Sequence, residues 1–125
     1  MTQRVLLDTE LVLLRHDPTE RTVTMTRTTV DLPRDVTALR AFFQSLVDAL
    51  ADIHRPSHLF VIDSRDALGR NDEAFETCKK EFDETLLGGF QKVSVVVKTE
   101  IGKLQVRRYN DVLHESPLTV VKTED

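Results

Sequence analysis

Tryptophan is absent from this 125-residue chain, and tyrosine and cysteine occur once each. The core must therefore be built from aliphatic side chains and six phenylalanines. A single cysteine, Cys78, excludes an internal disulfide, which suits a reducing compartment and makes a cytoplasmic setting the expectation. No apolar run approaches the ~20 residues that cross a bilayer, so no membrane span is expected. The opening Met1-Thr2-Gln3-Arg4-Val5-Leu6-Leu7 is interrupted by Asp8 too soon for a signal peptide. Glycine-rich phosphate loops and a Gly-x-Ser-x-Gly nucleophile elbow are missing as well. Positive charge is in deficit: 17 lysines and arginines against 21 acids leave a net charge of −4, the reverse of the basic footprint that nucleic-acid binding requires.

What remains fits one domain spanning 1–125, since domains typically run to roughly 100–150 residues and a chain of this size can bury a core without disulfide or metal. Positions 11–17 read as a strand, and Asp17-Pro18-Thr19-Glu20 as a turn in which proline presets φ and the aspartate accepts a local backbone bond. Thr22-Val23-Thr24-Met25-Thr26-Arg27-Thr28 alternates with period two, the pattern of a strand with one wet face. The two strands form an antiparallel hairpin. Val5 to Leu7 adds either a short strand or a packed arm.

Asp35 caps a helix expected to run to about Ile53, with Val36, Leu39, Phe43, Leu46, Leu50 and Ile53 on one stripe widened by Phe42 and Val47. It stops before Pro56, because the residue preceding proline avoids helical angles. The run His58-Leu59-Phe60-Val61-Ile62-Asp63 reads as a strand covered on both faces. After a polar loop, 64–70, a second helix capped by Asn71 buries Phe75, Cys78, Phe82 and Leu86 and ends at Gly88-Gly89. Positions 93–97 give another buried strand, 100–109 a short third helix and 118–122 a last strand after Pro117. Buried strands linked by helices pair in parallel through right-handed crossovers. The expected fold is thus α/β: a mixed sheet with an N-terminal antiparallel hairpin and parallel strands joined by helices.

That order resembles the STAS/SpoIIAA-like domains, which include bacterial anti-sigma-factor antagonists and share a topology with SEC14-type carriers. The stretches that carry the resemblance are Phe60-Val61-Ile62-Asp63-Ser64-Arg65-Asp66-Ala67-Leu68-Gly69-Arg70-Asn71-Asp72-Glu73-Ala74-Phe75-Glu76 and Gly89-Phe90-Gln91-Lys92-Val93-Ser94-Val95-Val96-Val97-Lys98-Thr99-Glu100-Ile101-Gly102-Lys103-Leu104-Gln105-Val106. It implies a bacterial regulatory or scaffolding module, non-catalytic, acting in signalling through protein-protein contacts. The carrier topology implies the alternative, a binder of a small apolar or phosphate-bearing ligand. Where antagonists hold a phosphorylatable serine in an Asp-Ser-Ser-Gly segment, this chain has Gly69-Arg70-Asn71-Asp72, with no hydroxyl. Such domains often add a helix after the last strand; here 118–122 is expected to leave a sheet edge for a partner, and a homodimer is one way to cover it.

The candidate contact surface follows from topology. Asp63, Arg65, Asp66, Arg70, Asn71 and Asp72 lie beyond the carboxyl end of a parallel strand, where α/β sheets place their crevices, and backbone N–H groups opening the second helix could hold an anion. Lys98, Thr99 and Lys103 leave the next strand on the same rim, and Arg107 and Arg108 extend a basic run suited to an acidic protein partner. The competing reading makes Asp63, Arg65 and Asp66 a loop tied by its own ion pairs and the basic run a solvated face. A phospho-accepting role for Asp63 lacks the neighbouring carboxylates that Mg²⁺ needs. His54 and His58 are separated by a helix-breaking proline, and His16 and His114 stand isolated, so neither metal nor cofactor is expected.

Overall fold

A computed structural model of the chain describes residues 3–67, 72–97 and 119–122. Its elements are strands β1 (Arg4–Asp8), β2 (Val12–Asp17) and β3 (Thr22–Arg27), helix α1 (Val36–Ala49), a 3-10 turn (Arg55–Ser57), strand β4 (Leu59–Asp63), helix α2 (Glu73–Leu87), and strands β5 (Lys92–Val97) and β6 (Thr119–Lys122). All six strands form one sheet in the order of the sequence. β1, β2 and β3 pair antiparallel, whereas β3, β4, β5 and β6 run parallel. The mixed α/β sheet expected from the element pattern is therefore the one found. Val5 to Leu7 belongs to a true strand, with Arg4 opposite His16 and a register irregularity between Val5 and Leu7.

The β2–β3 turn forms as its residues dictate. Asp17 Oδ1 accepts from the N–H groups of Thr19 (3.0 Å) and Glu20 (3.1 Å), and Arg21 closes the turn at φ 51°. Asp35 caps α1, its carboxylate accepting from Ala38 N–H at 3.0 Å. α1 ends four residues earlier than its apolar stripe suggests. Leu50 and Ile53 remain buried, but the chain tightens there: Leu50 N–H reaches Val47 O, Ala51 N–H reaches Asp48 O and Ile53 N–H reaches Leu50 O. Those short-range bonds steer it into the 3-10 turn at Pro56, so the stripe outlasts the helix.

Pairing register puts Val12, Leu14, Val23, Met25, Phe60, Val93, Val95 and Val97 on one face of the sheet. They share a single buried cluster with Leu39, Phe42, Phe43 and Leu46 of α1 and Cys78, Leu86 and Leu87 of α2. Both helices thus cover the same face. The expectation that β4 and β5 are buried on both sides is corrected accordingly: their outward residues Val61, Ser94 and Val96 are only half-buried, and Leu59 is 37% exposed. Among the described residues, burial alternates along β5 and both helices lie on one face, where the aliphatic run suggested cover on both.

α2 buries less than its stripe implied, since Phe75 and Phe82 sit at the margin of the core rather than inside it. Both nevertheless lie against Phe43, with ring centroids 6.4 and 5.6 Å away. Across the exposed side, Arg40 of α1 donates from Nε and Nη2 to both carboxylate oxygens of Glu81 of α2, at 3.1 and 2.8 Å. α2 terminates at Gly88, and Gly89 follows at φ 88°, the left-handed geometry that glycine takes without strain. Arg55 holds this corner: its Nη1 donates to Gly88 O at 2.8 Å while the guanidinium lies 5.0 Å above the Phe90 ring.

Candidate functional site

β3, β4, β5 and β6 point the same way, so their carboxyl ends share one rim. β4 and β5 are direct neighbours, with Phe60 opposite Val93 and Ile62 opposite Val95. As β4 ends, Ser64 N–H donates to Val96 O at 2.9 Å and clamps the departing loop onto β5. Ala67 N–H then closes a turn onto Ser64 O at 3.1 Å.

Within that loop, Asp63 and Arg65 come together. Asp63 Oδ1 accepts from the backbone N–H and Nε of Arg65 at 3.2 and 3.0 Å, and Oδ2 accepts from Nη2 at 2.8 Å. Hydrogen bonds from the Arg65 side chain hold the Asp63 carboxyl below its ordinary range, against the opposing effect of partial burial. Asp63 is therefore an anion already answered by its own loop, and Asp66 stands exposed beside it. Asp63 and Arg65 show the local ion pairing that competes with a ligand-binding reading.

At the start of α2 the cap is Asp72, not Asn71 as the sequence suggested. Asp72 Oδ2 accepts from Phe75 N–H at 3.3 Å, and Glu73 and Glu76 fill the first turn. One residue's displacement changes the chemistry, because an ionised cap and two glutamates place negative charge where a bound anion would sit. Arg70, Asn71, Lys98, Thr99, Lys103, Arg107 and Arg108, together with the third helix, lie outside the described residues.

The opposite end of the sheet holds a cluster that the sequence pattern did not assemble. His16, at the end of β2, and His58, just before β4, are each only 9% exposed, and their Nε2 atoms lie 2.9 Å apart. His58 Nδ1 is 2.9 Å from His54 O and 3.0 Å from Ser57 Oγ, and His16 Nδ1 is 3.4 Å from Arg4 Nη2. His16 is thus not isolated, as its sequence surroundings implied. The two histidines are 42 residues apart and meet only because β3 inserts between β2 and β4. A signal was present nonetheless: His16 continues the inward row Val12, Leu14, and a polar ring on a core row needs a partner. Beside it opens a depression of about 470 Å³ lined by Gln3, Arg4, His16 and Pro18.

Among the described residues, no group of three or more histidine, cysteine, aspartate or glutamate side chains could hold a metal ion. Cys78 is fully buried in the core. No helix of the described residues is long and apolar enough to cross a membrane.

No protein-family model and no curated protein matches the chain. Its fold is similar to that of SiaC of Pseudomonas aeruginosa, with a TM-score of 0.50 at 15% identity over 98% of this chain and 100% of that one. A chain in the crystal structure of the diguanylate cyclase SiaD in complex with its activator SiaC, from the same organism, aligns with a TM-score of 0.49 at 15% identity, covering 93% of this chain and 96% of that one. At such identity the likeness is one of fold, and it agrees with the STAS/SpoIIAA-like architecture expected from the element order.

Proposed function

We propose that this chain is a non-catalytic regulatory or scaffolding module of the bacterial cytoplasm that works by docking a protein on the rim formed by the 63–67 loop and the start of α2. The observation that carries the reading is the state of the rim's charged groups: Asp63 is neutralised within its own loop by Arg65, and the opening of α2 is capped and flanked by carboxylates. Such groups are poor at proton transfer or phosphate capture, but they present fixed charge and shape to a partner surface. SiaC, whose fold is similar, is described as the activator of a diguanylate cyclase, a role played through protein contact.

In the proposal, Arg70, Asn71, Lys98, Thr99, Lys103, Arg107 and Arg108 belong to the same partner-binding surface as the acidic Asp66, Asp72 and Glu73, and give it both signs of charge. A second copy of the chain suits such a two-signed surface as well as a different protein does. The rim reading is favoured over a small-ligand carrier because the space between the helices and the sheet is filled by Phe42, Phe43, Leu46 and Phe60.

The test is quantitative co-purification from host lysate with Asp66→Lys and, as control, Glu20→Lys in the β2–β3 turn at the other end of the sheet. Both residues are exposed, so both variants should fold. The expected result is loss of the partner with Asp66→Lys alone. Equal yields from wild type and both variants would show that the rim is not the docking surface.

A further inference from the structure

The imidazole pair at the closed end of the sheet has only one arrangement of protons that satisfies its neighbours. A carbonyl oxygen can only accept, and the one hydrogen of Ser57 Oγ goes to His54 O at 3.0 Å. His58 Nδ1, 2.9 Å from His54 O and 3.0 Å from Ser57 Oγ, therefore carries a hydrogen. A neutral His58 then has a bare Nε2. The bond to His16 must run from His16 Nε2–H to His58 Nε2, across 2.9 Å. His16 Nδ1 is bare in turn and faces Arg4 Nη2, a group that can only donate, at 3.4 Å. The chain of bonds has one polarity, from Arg4 through His16 and His58 to the His54 carbonyl, and it holds only while both rings are neutral.

One added proton has no place in it. On His58 it would set Nε2–H against His16 Nε2–H. If His16 turned to its other tautomer to avoid that clash, its Nδ1–H would meet the Arg4 guanidinium. Either way donor meets donor, and a new positive charge lies beside a permanent one in a site that is only 9% exposed. The groups that face the pair are Arg4 from β1, Asp17 from β2 and His54 from the segment before β4. Asp17 acts in the opposite sense, but its Oδ1 already accepts from two turn N–H groups. Burial first, then His58 and then Arg4 hold His16 below its ordinary value, in line with this geometry.

Strain of this kind is relieved at the weakest attachment, which is β1. It is five residues long, is paired on one side only in the six-stranded order, and contains the register irregularity. Arg4 itself is exposed and free to withdraw. We propose that the His16–His58 pair is an acid-operated latch on the edge of the sheet: uptake of one proton by the pair turns the Arg4–His16 contact repulsive and releases β1 from β2. Release bares the N–H and C=O groups along β2, an edge with which another strand can pair. This latch does not depend on the rim being a docking surface, since it sits at the other end of the strands.

Imidazole ¹⁵N spectra and amide-exchange protection factors, compared at about pH 8 and about pH 5, test it. At the higher pH, His16 should show the Nε2–H tautomer and His58 the Nδ1–H tautomer. Between the two pH values, protection across 4–8 and 12–17 should fall roughly tenfold, the weight of one lost buried hydrogen bond, while β4 and β5 keep theirs. Arg4→Gln, a change at an exposed residue, should remove most of that fall, and His16→Phe all of it. Opposite tautomers, or a fall in β1 protection that is absent in wild type or unchanged in Arg4→Gln, would overturn the latch. Because Arg4→Gln replaces an exposed residue, it decides the matter even if His16→Phe fails to fold.

Discussion

The two ends of the sheet solve the same problem in opposite ways. At the carboxyl ends of the parallel strands, polar groups stay near water and neutralise each other locally, as Asp63 and Arg65 do two residues apart. At the other end, His16 and His58 are withdrawn from water and satisfied by a directional chain of bonds that spans β1, β2 and the segment before β4. The first arrangement tolerates change because water replaces any lost partner. The second does not, since a buried ring left without its partner keeps the cost of desolvation. A rim is thereby left free to vary with its partner, while the closed end ties the architecture together.

The largest effect expected from this contrast is at His58. His58→Ala leaves His16 Nε2–H buried without an acceptor and should cost about 1–3 kcal/mol in chemical denaturation at neutral pH. Replacing both rings by apolar groups, His16→Phe with His58→Leu, should recover much of that loss, because no polar group is then stranded. A double variant as unstable as the sum of the singles would mean that the pair is not one unit.

Acid should distinguish the ends by window. His16 is held below its ordinary value of 6.5, so the unfolded chain binds the proton more readily. Its contribution to stability is complete above 6.5 and is lost as pH falls through that value toward the folded one. Asp63 is held below 3.8, so its contribution persists until pH falls beneath that value. Denaturation midpoints should therefore decline first across the histidine window, and His16→Phe should flatten that part of the curve while leaving the carboxylate part intact. A wild-type curve flat from neutral pH down to the carboxylate range would contradict the assignment.

The smallest effect belongs to the rim. Arg65→Ala breaks the Asp63 ion pair at a side chain that is 40% exposed and should change stability by no more than about 0.5 kcal/mol. A substantially larger loss would show that the loop contributes to folding, and the contrast between the ends would weaken.

The sequence carries those parts of the fold that arise from local patterning. Threonine alternation at 22–28 and the aliphatic runs at 59–62 and 93–97 mark strands, and Asp17 and Asp35 mark a turn and a cap because each acts on N–H groups two or three residues away. Asp63–Arg65 was legible for the same reason. What depends on distant pairing was not. The meeting of His16 with His58 needs the intervening β3, and the one-sided cover of β4 and β5 depends on where both helices settle. Between these extremes fall boundary errors of a residue or a turn: Asp72 in place of Asn71 at a cap, and a stripe that continues past Ala49 because Leu50 and Ile53 stay buried without being helical. For the rim, residues at 63–66 and 72 could be placed, while the basic half named from the sequence lies outside the described residues.

Arg55 has a consequence for anyone remodelling this scaffold. By gripping Gly88 O and lying over Phe90, it fastens the approach to β4 to the approach to β5, so two crossovers share one rivet. Insertions near 54–58 or 88–91 would loosen both crossovers together. The tip at Pro18 to Glu20, exposed and held by the flanking Asp17 and Thr22, is the place where foreign sequence can be spliced with least disturbance to the rest.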